Sequence, residues 1–221
     1  RMTVTEQHYL QAWGDAGGVV HQGAVGAGRG MSMFGCKGGI GTASRIVPDG
    51  RGSGYLVGAL VLSNYGRLPQ LLLAGRAVGA TLARRLLAPA VAASSDPEKG
   101  SIIALIATDA PLDARQLRRL ALRAGAGLAR TGSVFGHGSG DIALAFSTAY
   151  TVPQQASRAM PAMAMLHDAL IDPLFQAAAD ATEQAIIHVL LQAQTVTGYR
   201  GHKRLAFTEA FPDWRNFLTS E

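Results

Sequence analysis

One cysteine in 221 residues, Cys36, leaves no partner for an intrachain disulfide and excludes a multi-cysteine zinc site. Its expected place is that of a small buried packing residue. Histidine is scarce as well. His8, His21, His137, His167, His188 and His202 are scattered, and none stands at ligand spacing from a second His or Cys, so neither a metal nor another cofactor is expected. Long apolar runs are missing: Leu71 to Gly75 soon gives way to Arg76, Arg84 and Arg85, well short of the ~20 residues that span a bilayer, and no membrane partner is expected. Aromatic residues make up 6% of the chain and are not interleaved with basic ones. The net charge of +5 therefore does not read as a nucleic-acid footprint. Its densest group, Arg115, Arg118, Arg119, Arg123 and Arg130, follows Asp113 at the spacing of a solvated helix face.

Against these shortages stand 48% hydrophobic residues, 16% charged residues and 27 glycines, the composition of a globular unit with a substantial core and many turns. One domain over 1–221 is expected. The glycines gather at 17–54 and 125–140, where loops that carry function are expected. Neither Gly26-Ala27-Gly28-Arg29-Gly30 nor Gly38-Gly39-Ile40-Gly41 has the strand, glycine spacing, helix and following acid of a dinucleotide site together.

Periodicity and breakers predict a helix near Thr5–Ala16, strands near Gly39–Val47 and Tyr55–Ser63, and a helix around Ala74–Ala88 that stops before Pro89. An exposed connector follows over Ala92–Gly100. Beyond it come a strand from Ser101 to about Thr108, a helix from Asp113 to Arg130, a strand from Asp141 to Ser147, and helices over Met160–Ile171 and Pro173–Val196. The order alone implies mixed α and β elements in layers.

The chemistry centres on Gly100-Ser101, where a Ser opens a buried strand directly after a Gly. Freed as an N-terminus, such a Ser carries its own base: an α-amine with a reference pKa of about 7.7–8.0 beside the hydroxyl it activates. Ser139 and Asp141 lie two apart, so an extended backbone points both side chains to one side. His137 beside them reads as a turn residue rather than a triad member.

Around this pair stand Phe34-Gly35-Cys36-Lys37-Gly38-Gly39-Ile40-Gly41-Thr42-Ala43-Ser44-Arg45, Val61-Leu62-Ser63-Asn64-Tyr65-Gly66 and Gly136-His137-Gly138-Ser139-Gly140-Asp141-Ile142-Ala143-Leu144-Ala145-Phe146. In order and spacing the set resembles the DmpA family of self-cleaving serine aminopeptidases, which includes L-aminopeptidase/D-alanine esterases and β-peptidyl aminopeptidases. The likeness runs from about Gly18 to about His202. It implies an α+β fold, a four-layer αββα sandwich similar in architecture to the N-terminal nucleophile hydrolases. It also implies autocleavage between Gly100 and Ser101 into pieces 1–100 and 101–221, with Ser101 as nucleophile. Asn64 is implied as the oxyanion donor, Ser139 and Asp141 as a proton relay, and Gly138 as a substrate-binding position.

The implied substrate is a short peptide, amide or ester, and the implied assembly a homo-oligomer of processed subunits. Two departures matter. Family members commonly read Glu-Gly-Asn-Val-Gly where this chain has Gln22-Gly23-Ala24-Val25-Gly26, and many carry Glu where Asp141 stands. Only Arg1–Gly17 precedes the matching region, so the chain looks N-terminally truncated. Two alternatives stay open: a catalytically inactive member acting only in association, and an acyltransferase of the ornithine acetyltransferase type, against which Ser rather than Thr at 101 argues. The compartment, cytoplasmic or periplasmic, is left open. Phe207–Glu221 lies beyond the likeness and is expected to be a surface tail.

Overall fold

A computed structural model describes residues 4–50, 52–86 and 100–219. At its centre is a four-stranded sheet of β3 (Gly39–Pro48), β4 (Gly54–Asn64), β7 (Ser101–Thr108) and β8 (Ile142–Ser147), in that order across the sheet. The first three strands are antiparallel neighbours, and β8 runs parallel to β7 at the edge. Alternation along the strands divides the two faces. Val57, Ala59 and Val61 of β4 and Ile102, Ala104 and Ile106 of β7 are buried on the same side. The helices α3 (Ala114–Ala121), α4 (Arg123–Ala129) and α5 (Asp172–Gln192) belong to that layer.

The long α5 starts at Asp172-Pro173, where an acidic first turn and a proline without an N–H both suit a helix N-terminus. Its Ala-rich stripe, including Ala178, Ala181 and Ala185, brings it close to the sheet. A Cβ on Gly41 would lie 2.0 Å from the Ala185 carbonyl oxygen, so this crossing requires glycine.

On the other side the sheet is open. Ile46, Leu56, Ile103, Leu144 and Phe146 are exposed, with Leu60, Leu62 and Leu105 half-buried among them. An αββα sandwich buries such a face against a second sheet. The described residues supply one four-stranded sheet, its helical layer and three two-stranded ribbons: β1 (Ser32–Met33) with β2 (Cys36–Lys37), β5 (Leu72–Leu73) with β6 (Arg76–Ala77), and β9 (Val196–Thr197) with β10 (Lys203–Arg204).

The elements expected at 5–16, 39–47, 55–63, 101–108 and 141–147 are present within a residue or two of their bounds, the first as α1 (Glu6–Gly14). Four expectations are corrected. The helix placed at 74–88 begins only at Gly79, as α2 (Gly79–Leu86), because Ala74 and Gly75 both take positive φ and close a tight hairpin between β5 and β6. The helix at 113–130 is two, α3 and α4, broken at Leu122. No α-helix occupies 160–171. That segment runs extended past the start of α3, held by Leu166 N–H donating to the Pro111 carbonyl and by Gln116 Nε2 donating to the Leu166 carbonyl, with a short 3-10 turn at Asp168–Leu170.

Residues 207–219, finally, are no surface tail. Phe207, Phe211 and Trp214 recur at helical spacing through the short helix α6 (Phe207–Ala210) and the turn after it, ahead of the last short helix, α7 (Asn216–Thr219), and are buried against one another with ring centroids 5.3 and 6.3 Å apart. Arg85 of α2 pairs with Asp213 at 2.8 Å and stacks over Phe217. The expected connector at 92–99 lies outside the described residues.

Arg115, Arg119, Arg123 and Arg130, in and just after α3 and α4, are engaged within the chain. Arg115 makes a two-pronged pair with Asp168, at 2.9 Å for both contacts, and this together with Gln116 holds the Asp168 carboxyl down at about 2. Arg130 reaches Asp180 and Glu183, and Arg123 lies 4.1 Å over the Phe175 ring. Among the described residues no helix is long and apolar enough to cross a membrane.

Two substitutions test these contacts. Phe207→Ala is expected to lower unfolding free energy by about 3–5 kcal/mol in urea titrations, as for a buried ring and unlike a tail residue. Gly41→Ala is expected to cost about 1–3 kcal/mol through the clash with Ala185, whereas Gly58→Ala, with nothing within 4 Å of its Cβ, should leave the melting temperature within a degree or two.

Candidate active site

Ser101 opens β7 at the edge of the open face, directly opposite Asn64, the last residue of β4, in the antiparallel register. Its hydroxyl is half-buried and held from two sides. Ser101 Oγ donates to the carbonyl oxygen of Gly100 at 2.8 Å and accepts from the Gly140 N–H at 3.0 Å. The Gly100 backbone is pressed against its neighbour. A Cβ there would meet the Asn64 carbonyl oxygen at 2.4 Å and Tyr65 Cα at 2.6 Å, so only glycine lets the chain enter β7 at this depth.

Ser139 and Asp141 come together as their spacing predicted. Ser139 Oγ donates to Asp141 Oδ1 at 2.6 Å, and the same oxygen accepts the Ile102 N–H at 3.1 Å. The aspartate, shorter than a glutamate, thus reaches the backbone next to Ser101. Ser139 is placed by a turn in which its N–H donates to the Gly136 carbonyl. Gly138 and His137 lie exposed at the tip of that turn.

Asn64 is fixed by a residue far away in sequence. Its Oδ1 accepts the Ser32 N–H at 2.9 Å. Because a backbone N–H can only donate, this contact identifies the oxygen of the amide and leaves Nδ2 as the group able to donate. Ser32 belongs to the β1–β2 ribbon, whose turn at Phe34-Gly35 takes positive φ at both residues. Within that ribbon Lys37, the register partner of Ser32, is 2% exposed, with Nζ donating to the carbonyls of Gly28 and Gly38 at 2.8 and 2.9 Å and to that of Met31. Burial, with Arg29 nearby, lowers its ammonium to about 8. Burial likewise pushes the neighbouring Cys36 thiol up to about 11, in keeping with a packing residue.

Gln22, which stands where family members commonly carry Glu, accepts the Thr42 N–H through Oε1 at 2.9 Å. Three contributors went unrecognised in the sequence: the Gly140 N–H, the Ser32 N–H and Lys37. The first two are backbone groups and leave no side-chain signal. Lys37 did have one, as a lone charge inside an otherwise apolar and glycine-rich run.

Two hollows flank these residues. A largely apolar cavity of about 490 Å³ lies between α3, α4 and β8 and reaches Asp141 from the helical side of the sheet. A second cleft, of about 340 Å³, is lined by Arg29, Ser32, Lys37, His202 and Arg204.

A hydroxyl held against a glycyl carbonyl, with an amide in register and a carboxylate beside it, is an arrangement that can support acyl transfer. The chain is 43% identical over 208 residues to the β-peptidyl aminopeptidase BapA of Sphingosinicella microcystinivorans, covering 90% of this chain and 52% of that protein. It therefore spans about half the length of that relative. Among solved structures it is similar to a Burkholderia sp. β-aminopeptidase, with 38% identity, a TM-score of 0.80, and 96% and 59% of the two chains covered. It is also similar to the L-aminopeptidase D-Ala-esterase/amidase of Ochrobactrum anthropi, with 35% identity, a TM-score of 0.82, and 97% and 59% covered. That enzyme is described as a prototype of the serine aminopeptidases and a variant of the Ntn hydrolase fold, and this chain shares its fold. The family model of peptidase family S58 matches residues 1–204, and the chain belongs to that family.

Proposed function

We propose that this chain carries the nucleophile, oxyanion donor and relay of an autoprocessed serine aminopeptidase or amidase acting on short peptides, amides or esters. The observation that carries the reading is the hydroxyl of Ser101 seated 2.8 Å from the carbonyl oxygen of the preceding Gly100, on the strand position facing Asn64.

In the first event Ser101 Oγ attacks the Gly100 carbonyl carbon. The hydroxyl proton passes to the departing Ser101 nitrogen, the C–N bond breaks, and an ester joins Gly100 to Oγ. Water then hydrolyses the ester, leaving a Gly100 carboxylate and a free Ser101 α-amine. In turnover that amine takes the proton of Oγ as it attacks the substrate carbonyl, and returns it to the leaving amine. Negative charge on the tetrahedral oxygen is stabilised by Asn64 Nδ2. Asp141, bonded to Ser139 Oγ and to Ile102 N–H, holds Ser139 beside the new amine and favours its protonated form when the proton arrives.

The β4–β7 pairing joins the two pieces after cleavage, since β4 belongs to 1–100 and β7 to 101–221. Assembly into a homo-oligomer of such processed pairs belongs to the same reading. With Gln22 engaged by Thr42, recognition of a substrate's α-ammonium falls to other groups than the acid common at that position.

Denatured intact mass separates the possibilities. The chain should yield fragments of 100 and 121 residues, the second being 221 less 100, and Ser101→Ala should stay whole. A folded but uncut wild-type chain with no turnover of p-nitroanilide or β-peptide substrates would favour the inactive, associating member instead. Asn64→Ala is expected to slow both cleavage and turnover by about 10²–10³, the cost of one oxyanion donor, with little change in KM.

A further inference from the structure

Lys37 is the one buried cation in the described core, and no carboxylate pairs with it among the described residues. All three of its ammonium donors are spent on backbone carbonyls, those of Gly28, Met31 and Gly38. One of these contacts has a chemical sequel. The Met31 carbonyl and the Ser32 N–H belong to the same peptide unit, and that N–H is the donor that holds Asn64 Oδ1 at 2.9 Å. A positive charge on the carbonyl end of a peptide draws electron density from its N–H and strengthens it as a donor, and in a dry site such chained bonds reinforce one another.

We propose that Lys37 is a positioning residue for the reaction at Ser101: its ammonium holds and polarises the Met31–Ser32 peptide, which fixes the Asn64 amide with its oxygen occupied and Nδ2 left to donate. The proposal rests on the assignment of Asn64 as oxyanion donor made above. It accounts for an otherwise costly choice, since a charge buried without a counterion is retained only where its hydrogen bonds are needed.

The charge itself can be titrated. With the ammonium lowered to about 8, Lys37 is cationic in neutral solution and loses its charge through mildly alkaline pH. The charged and titratable groups around the cleft are Arg29, Arg204, His202 and Tyr199, and Cys36 precedes Lys37 on its strand with its thiol pushed up to about 11. The polarisation of the Met31–Ser32 peptide should be present below about pH 8 and fade above it.

The chain has only two asparagines, Asn64 and Asn216, and three lysines, Lys37, Lys99 and Lys203, so residue-selective labelling reports on the contact directly. The full chain labelled with 13C-asparagine would be titrated from pH 6.5 to 9.5 while following the side-chain carbonyl carbons. The Asn64 carbonyl is expected to shift with a midpoint near 8, and His202→Gln should keep that transition. Lys37→Met should remove it and displace the signal already at pH 6.5. A flat Asn64 signal in the wild-type chain overturns the proposal, and because that titration needs no variant, a Lys37→Met protein that fails to fold does not blunt the test.

Processing at Gly100–Ser101 is read on the same samples by intact mass. Lys37→Met should be about tenfold slower near neutrality, a fraction of the ~10²–10³ that losing an oxyanion donor costs, and should approach the wild-type rate above pH 9. A chain that shows the Asn64 transition but is never cut refutes the role of Ser101 and keeps the coupling. One that is cut with a flat Asn64 signal refutes the coupling and keeps the role of Ser101.

Discussion

The antiparallel pairing of β4 with β7 is the constraint from which the site follows. Its register puts Asn64 opposite Ser101, and a slip of one residue would turn Ser101 to the helical side and bring Ile102, Ala104 and Ile106 out onto the open face. Eight residue pairs, from Val57 with Thr108 to Asn64 with Ser101, hold that register, and the buried side chains of one face make any slip expensive. Gly100 completes the arrangement. Only a residue without Cβ can enter the strand against the Asn64 carbonyl, and the same closeness seats the Gly100 carbonyl under the Ser101 hydroxyl.

The supports of the site come from two stretches of chain far apart in sequence. The ribbon at 32–37 secures Asn64 through the Ser32 N–H, the turn at 136–140 supplies the Gly140 N–H to Ser101 Oγ, and Asp141 ties that turn to the backbone of β7. None of these contacts is strong alone. A typical net hydrogen bond contributes about 0.5–1.5 kcal/mol, and the site depends on each being held by a packed element. The C-terminal residues take part at a distance: the Leu205 carbonyl accepts the Lys37 N–H at 2.7 Å, and Phe207, next but one along the chain, is anchored in the core.

Membership of peptidase family S58 fits a sheet that is finished on one face and open on the other. The helical layer is complete enough to bury Val57, Ala59, Val61 and their neighbours, whereas Leu56, Ile103, Leu144 and Phe146 meet solvent. Ser101 and Asn64 lie on the open side.

Much was legible in the residues alone. Apolar patterning and its breakers located β3, β4, β7 and β8, Pro173 marked the start of α5, and the two-residue spacing of Ser139 and Asp141 put their side chains on one side, because these are local signals of strand, cap and side-chain direction. Two misreadings share a cause. Met160–Ile171 is held extended by Pro111 and Gln116, and Phe207, Phe211 and Trp214 find one another and the core, so that tertiary packing outweighs local preference. At Ala74-Gly75 the cause is local, a tight turn at positive φ between β5 and β6. The sequence by itself determined where the strands of the sheet lie and which polar side chains stand at and beside their ends. Only the tertiary structure decided that Ser32 orients Asn64, that Gly140 holds Ser101 and that Lys37 lies buried beneath them, because backbone donors leave no trace in composition and a register is a property of two strands together.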